Sequence, residues 1–240
     1  MAKPAISILT PSKGMEHHLP GLIKNIDTQI GPHDEVILYF DGERPTNKFL
    51  SFLVGYPYVR YIIGETNIGP AAGRNLLARE ARNPILRFQD ADDQLAPYSL
   101  DQARTLINQL DEWHILVGGQ LMYRNRVLSR IGIRKESDKK AMIDALARQN
   151  TMVVNVCYFN AESFNTVGGF DENIRFEEDW DLWLRYLNKF GDEAFTLTDR
   201  LFGIYNTYGE DDKHKLHIRA DVRKSNREYI AEKHQIKTET

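Results

Sequence analysis

Ile85-Leu86-Arg87-Phe88-Gln89-Asp90-Ala91-Asp92-Asp93 joins a short apolar run to three carboxylates within four residues. The run reads as a strand, Ile85 to Gln89, that ends in an acidic turn. The same grammar recurs upstream. Ala5 to Leu9 reads as a buried strand ended by Thr10-Pro11, Glu35 to Phe40 as a second ending at Asp41-Gly42, and Val59 to Ile63 as a third. Helical patterns alternate with them: Leu19, Leu22, Ile23, Ile26 and Ile30 at helical spacing, a short helix over Asn47 to Val54, and one opened by Pro70 and running to about Ala81. Pro97 starts a further helix to about Leu110. This alternation predicts an α/β fold, a mainly parallel Rossmann-like sheet flanked by helices on both faces.

In such sheets ligands bind beyond the carboxyl ends of the strands. The chemistry is therefore expected after Leu9, Phe40, Ile63 and Gln89, where Asp41, Asn67, Arg74, Asp90, Asp92 and Asp93 fall. The second part of the chain is less regular. Ile115–Tyr123 and Val127–Ile133 read as paired strands, Lys139–Arg148 as a helix and Met152–Phe159 as a strand. Asp179–Asn188 reads as an amphipathic helix with Trp180, Trp183, Leu184 and Leu187 inward, Phe202–Tyr208 as a late strand, and His214–Lys233 as a polar outer helix. No linker separates the halves. One domain over 1–240 is expected, with a nucleotide-binding subregion at 1–110 and a smaller, mixed acceptor-side subregion at 111–240.

Composition narrows the classes. With 240 residues, 42% hydrophobic and 27% charged, the chain can bury a substantial core. A net charge of -3 argues against a nucleic-acid binder, which carries a basic stripe. The lone Cys157 excludes an intrachain disulfide and sits in an apolar run, as a core residue does. The N-terminus lacks the regions of a signal peptide, and no apolar run approaches a membrane span. The expected location is the cytoplasm, peripheral to a membrane if the acceptor is lipid-linked.

Three clusters carry chemistry. Three close carboxylates repel one another unless a cation is present, and Mg²⁺ or Mn²⁺ takes one or two carboxylates together with substrate phosphates. Helix capping ahead of Pro97 is the alternative, though it accounts for one Asp and not three. Asn67-Ile68-Gly69-Pro70-Ala71-Ala72-Gly73-Arg74-Asn75 places glycines, a helix N-terminus and a forked donor where an anion would sit; it reads equally as a plain strand-to-helix turn. Glu177-Glu178-Asp179-Trp180-Asp181 gathers acids at a helix start. That pattern suits the helix dipole, or a general base that takes a hydroxyl proton.

Taken together these motifs resemble glycosyltransferase family 2, inverting enzymes of the GT-A fold, over most of the chain. Ile6-Ser7-Ile8-Leu9-Thr10-Pro11 is similar to the family's opening strand, Asp41-Gly42 to its Asp-Asp-Gly-Ser turn, and Asn67 to Asn75 to its Asn-x-Gly-x-x-x-Ala-Arg-Asn segment. Gln89 to Asp93 with Pro97 and Leu100 is similar to its Leu-Asp-Ala-Asp-Asp-x-x-x-Pro-x-x-Leu motif. Val167-Gly168-Gly169-Phe170-Asp171-Glu172 followed by Glu178 to Arg185 is similar to its acceptor-side signature. The resemblance implies transfer from a nucleotide-diphosphate sugar, by default a UDP-sugar, to a hydroxyl of a glycan or glycolipid. It implies that Thr10 and Pro11 line the base pocket, that Asp41 meets base or ribose, and that Asn67 and Arg74 lie near the nucleotide. It further implies that Asp90 and Asp92 hold ribose and metal, with Asp93 a second metal candidate. Asp179 would be the catalytic base with Glu178 beside it, and Gly168, Gly169 and Phe170 would shape the acceptor side.

Several positions depart from the pattern. Phe40 and Glu43 replace the outer residues of the Asp-Asp-Gly-Ser turn, which bears on base recognition. Gly203 to Tyr208 lacks an Arg and a His often found there, leaving His214 or His217 to approach the diphosphate, or simply to lie on a solvated helix face. No Gln-x-x-Arg-Trp signature of processive synthases occurs. Two other readings stand beside the transferase: a nucleotide- or glycan-binding protein without turnover, and a sugar nucleotidylyltransferase, which the loop Thr10 to Met15 fits poorly.

Overall fold

The computed structural model describes residues 4–125, 127–207 and 220–236. The strands are β1 (Ile6–Ser12), β2 (Glu35–Phe40), β3 (Val59–Ile63), β4 (Ile85–Phe88), β5 (Gln94–Leu95), β6 (Ile115–Arg124), β7 (Val127–Gly132), β8 (Cys157–Asn160) and β9 (Phe195–Thr207). The helices are α1 (Leu19–Asp27), α2 (Asn47–Leu53), α3 (Pro70–Glu80), α4 (Ser99–Ile107), α5 (Lys139–Leu146), α6 (Ala161–Thr166), α7 (Glu178–Phe190) and α8 (Ala220–Lys233). The strands form one sheet in the order β3-β2-β1-β4-β8-β6-β9-β5, with β7 paired to β6. The pairs β3-β2, β2-β1 and β1-β4 are parallel, and β8 runs antiparallel to both β4 and β6. β6 therefore points the same way as β4, and β9 lies parallel to it.

Alternation along the strands divides the core. Ile8, Val36 and Leu38 face one layer with Leu22 and Ile26 of α1, Phe49 of α2 and Leu100 of α4. Leu9, Ile37 and Phe88 face the other, with Leu77 of α3, Phe164 of α6, Trp183 of α7 and Ile230 of α8. All six residues of β2 are buried, which is why that segment reads as a continuous apolar run rather than an alternating one. α2 starts at Thr46, whose hydroxyl accepts the Phe49 N–H at 3.2 Å.

The first half follows the expected order of elements, and Ile115 to Gly132 forms the expected hairpin. Three differences have physical causes. β1 does not stop at Leu9; it pairs with β2 through Ser12, because parallel pairing tolerates Pro11 near a strand end. Met152–Phe159 is not one strand. Val154–Val156 make a 3-10 turn and extension resumes at Cys157, since the run is buried by packing, which hydrophobicity cannot distinguish from pairing. The late strand begins at Phe195 rather than Phe202. Between Val117 and Gly119 its partner moves from Leu197 to Leu201, so Thr198-Asp199-Arg200 bulges, with Asp199 and Arg200 exposed, and breaks the pattern. The short elements β5 and α6 were not expected. α8 occupies the second part of the expected His214–Lys233 helix; His214, His217 and Tyr208 lie outside the described residues. Among the described residues no helix is long and apolar enough to cross a membrane.

Candidate active site

The acidic turn lies at the carboxyl end of β4, between β1 and β8. Ladder pairing continues one step past Phe88, with the Gln89 N–H on the Leu9 carbonyl at 2.9 Å, and the turn closes where the Asp93 N–H meets the Asp90 carbonyl at 3.2 Å. Asp92 is half-buried and the Asp90 side chain is 39% exposed. Asp93 points inward at 2% exposure. Its carboxylate accepts from the Asn155 amide and, at 3.2 Å, from the Asn206 backbone N–H. Burial, then the charge of Asp90, push Asp93 up to about 8 against those two hydrogen bonds.

Beneath the turn lies Arg87, which no sequence motif singled out. It is fully buried in β4 and donates to the carbonyls of Asn155, Cys157 (3.3 Å) and Phe202 (3.1 Å) and to Gln89 Oε1 (3.3 Å), with its guanidinium over the Tyr158 ring. Burial holds its pKa below the usual arginine range. The Asn155 peptide that Arg87 grips belongs to the residue that holds Asp93, so β4, the 154–156 turn and β9 form one rigid seat for the acidic turn.

Arg74 joins the acidic turn to the second acidic cluster. It sits in the second turn of α3, 7% exposed and facing the sheet. One guanidinium nitrogen donates to Asp90 Oδ1 at 2.9 Å and the other to Glu178 Oε1. The guanidinium also lies over the Phe170 ring, 5.5 Å from its centroid. Burial opposes its charge, but the carboxylates of Asp90 and Glu178 outweigh that and raise its pKa. Residues far apart in the chain are thereby held at one place, the first turn of α7.

Asp179 follows Glu178 and is half-buried. Its Oδ1 accepts from Asn150 Nδ2 at 2.7 Å and from the Trp180 N–H at 2.9 Å. Burial first, and then the neighbouring Glu178 charge, push it up to about 7, with Arg74 pulling the other way. The turn that presents it is under tension: Glu177 has φ +62°, left-handed backbone that costs a non-glycine residue roughly 1 kcal/mol. Arg227 of α8 grips the Glu177 carboxylate at 2.8–2.9 Å, and Asn226 Nδ2 donates to the Phe176 carbonyl at 3.1 Å. Asp181, fully buried, anchors α8 through Lys233 and His234, both at 2.8 Å. Its pKa is depressed by these partners and Arg185 in spite of burial.

The Gly168-Gly169 loop is fastened by Asn75. Its amide takes the Phe170 N–H and donates to the Phe170 carbonyl, both at 2.8 Å, and reaches Glu172 at 2.9 Å. Gly169 has φ +68°, and a Cβ there would lie 2.5 Å from Asn75 Oδ1. Gly168, at φ +84°, faces open space. Gly169→Ala is expected to cost about 2–3 kcal/mol in urea unfolding, combining backbone strain with a lost hydrogen bond, and Gly168→Ala only about 1 kcal/mol. Equal losses would mean that the Asn75 contact contributes nothing.

The residues expected near the nucleotide divide. Asp41 is 5% exposed, and its two oxygens accept the Ile68 N–H at 2.7 Å and the Gly69 N–H at 3.0 Å, tying the loops after β2 and β3 together. Asn67 is exposed beside them and accepts the Gly69 N–H at 3.0 Å. Thr10 and Pro11 lie on opposite faces of β1. Pro11 is near Gly73 of α3, whereas Thr10 is fully buried on the face of Ile8, with no hydrogen-bond partner for its hydroxyl. The structure therefore unites Arg74, Asp90, Glu178 and Asp179, sets Asp41 and Asn67 at the neighbouring loop, and does not bring Thr10 and Pro11 to one surface. The sequence motifs leave Asn150, Asn155, Arg87 and Arg227 unmarked, and Asn75 enters them only as the end of the Asn67–Asn75 segment. A signal existed for Asn155 and Arg87, single polar residues inside apolar runs; Asn150 and Arg227 carry none.

Oxygen donors dominate the site. Among the described residues no three His, Cys, Asp or Glu side chains are arranged around a metal position. Asp90 and Asp92 fit a hard cation that draws its remaining ligands from phosphate and water. Asp93 is turned inward, each of its oxygens already accepting one hydrogen bond.

The sequence profile of Glycosyl transferase family 2 matches residues 7–166, and the chain belongs to that family. Similar curated proteins include the teichoic acid poly(glycerol phosphate) polymerase of Staphylococcus epidermidis, 24% identical over 77% of this chain and 26% of its own length. An uncharacterized glycosyltransferase of Haemophilus influenzae is 24% identical over 77% of this chain and 62% of its own. The chain thus spans less than two thirds of these relatives. Residues 1–349 of S. aureus TarS in complex with UDP superpose with a TM-score of 0.65 over 96% of this chain and 70% of that one, at 17% identity. The same protein in complex with UDP-GlcNAc gives 0.65 over 85% and 58%, at 18% identity. At these identities the likeness defines the fold, the GT-A-type α/β sheet.

Proposed function

We propose that this protein is an inverting glycosyltransferase that moves a sugar from a nucleoside-diphosphate sugar, a UDP-sugar, to a hydroxyl of a glycan or lipid-linked acceptor. The observation that supports it most is the Arg74 bridge, which couples an acidic turn fit for a cation and diphosphate to Glu178, the chain neighbour of the carboxylate we assign as base. The solved complexes of TarS with UDP and UDP-GlcNAc support the choice of nucleotide. In this reading the nucleotide lies over the carboxyl ends of β1, β2 and β4, against the loops that Asp41 ties together and beside Asn67. Asp92 with Asp90 or Asp93 would hold Mn²⁺ or Mg²⁺, which would supply charge neutralisation for the departing diphosphate.

Asp179 accepts the proton of the acceptor hydroxyl. The hydroxyl oxygen forms the new bond to the anomeric carbon as the bond to the diphosphate oxygen breaks, and that electron pair leaves with the diphosphate. Attack from the opposite face inverts the anomeric centre. A carboxylate raised to about 7 is a stronger base than an ordinary one while still largely ionised at slightly alkaline pH. Glu178 neutralises Arg74 and fixes the turn; Asn150 orients Asp179 without protonating it.

A thermal-shift series with UDP, other nucleoside diphosphates and Mn²⁺ tests the donor half. A ligand at about 100 times its Kd stabilises the native state by about 2.7 kcal/mol, a shift of several degrees in Tm. UDP with Mn²⁺ is expected to give this shift and UDP alone much less. Equal shifts with and without metal would remove the cation from the proposal, and no shift with any nucleotide would overturn the donor assignment.

A further inference from the structure

The β6–β7 hairpin is unlike the rest of the surface. Val127, Leu128, Ile131 and Ile133 are 45–68% exposed. They occur in the stretch Trp113 to Lys135, which contains no Asp or Glu and carries Arg124, Arg126, Arg130, Arg134 and Lys135 in a protein of net charge -3. Arg124, Arg130 and Lys135 are exposed; Arg134 is held by the Thr151 carbonyl at 2.7 Å. Exposed aliphatic side chains alternating with arginines along one hairpin are costly in water. They suit a surface that is apolar within and anionic at its face.

The location adds to this. β6 runs in the direction of β4, so its turn lies at the ligand end of the sheet. Tyr123 of β6 pairs with Asn206 of β9, whose N–H holds Asp93. The turn end of the hairpin is thus one strand away from the acidic turn.

We propose that the β6–β7 hairpin is a docking element for an anionic lipid bilayer. The aliphatic side chains enter the headgroup boundary, and the arginines pair with lipid phosphates. This orientation sets the carboxyl-end loops of the sheet against the membrane surface, where an acceptor carried on a lipid would present its hydroxyl. An antiparallel second copy centred on Arg130 at the edge of β7 would set that arginine against its counterpart. The inference rests on the hairpin and its place in the fold, and vesicle binding reads it independently of sugar transfer.

Flotation of the whole protein with vesicles of phosphatidylcholine, alone or mixed with phosphatidylglycerol, tests it. Binding is expected to the anionic vesicles only and to weaken as salt is raised. Arg124→Glu with Arg130→Glu is expected to lower the partition at least about tenfold, at roughly fivefold per basic residue near an anionic surface. Leu128→Ser with Ile131→Ser is expected to lower it by a similar factor through lost apolar insertion. Both variants should keep the parent's Tm within a few degrees, which separates lost docking from misfolding. Absence of flotation with anionic vesicles at low salt overturns the proposal, as does flotation that the charge reversals leave unchanged. A dimer that the serine variants abolish, without flotation, assigns this face to a second copy and overturns it equally.

Discussion

Asp179→Asn is expected to lower kcat by about 10²–10⁴-fold, the range that a positioned proton acceptor contributes. The amide keeps the geometry: its oxygen still accepts from Asn150 and from the Trp180 N–H, and only the basic lone pair is lost. Nucleotide affinity is therefore expected to stay within about twofold, since uniform binding and the chemical step separate in this way. A pH series gives a second readout. Asp179 sits at about 7, so kcat should rise from the acid side with its midpoint near there and level off above it. Stability moves oppositely. The folded carboxyl binds its proton more tightly than the unfolded one at 3.8, so the stability tied to that proton is full below 3.8 and lost as pH rises through 7. The asparagine variant carries no such loss, and above pH 7 it should match or exceed the parent in Tm. Transfer at the parental rate by the variant would remove Asp179 as the base; loss of activity accompanied by a lower Tm would point to the fold instead.

Arg74→Met carries the largest expected effect on stability. Methionine fills the aliphatic volume over Phe170 but leaves Glu178 and Asp90 without their counter-charge. Removing one member of a buried ion pair costs about 3–5 kcal/mol. The Asp90 side is 39% exposed and screened, so most of that loss belongs to Glu178, whose side chain is 11% exposed. For a chain of this size the expected fall in Tm is about 10 °C. The double variant Arg74→Met with Glu178→Gln should recover part of it, because no unpaired charge remains in the interior. Its transfer rate should stay low, since Asp90 and the turn before Asp179 have still lost their common tether. A double variant no more stable than the single one would show that the bridge acts by packing and not by charge. Arg74→Lys should fall between, because one ammonium cannot serve two carboxylates with a fork's geometry.

The parallel half of the fold was legible because each of its elements carries its own local signal. β2 and β4 are bounded apolar runs, α1 has one apolar face, and α3 begins with Pro70. The carboxyl ends of those strands then had to hold the ligand-facing residues, which located Asp90 and Arg74. The second half was read less well. The 154–156 turn and the bulged start of β9 are built from long-range contacts, and hydrophobicity reports burial without reporting what the backbone pairs with.

At the site, carboxylates grouped at element ends mark Asp90, Asp92 and Asp93 in a single segment, while Glu178 and Asp179 stand out from an ordinary helix start only through the family resemblance. What each does in the fold depends on neighbours far along the chain. Asp93 turns inward because Asn155 and Asn206, from two other elements, meet it there. Asp179 is raised because α7 packs its first turn into the core beside Glu178. Thr10 and Pro11, adjacent in sequence, part to opposite faces because a strand alternates. The acidic turn after β4 was local information, carried by composition and position. The arginine that ties it to a second carboxylate cluster 104 residues further on was not, because the charge pairing exists only once the sheet has brought α3, β4 and α7 together.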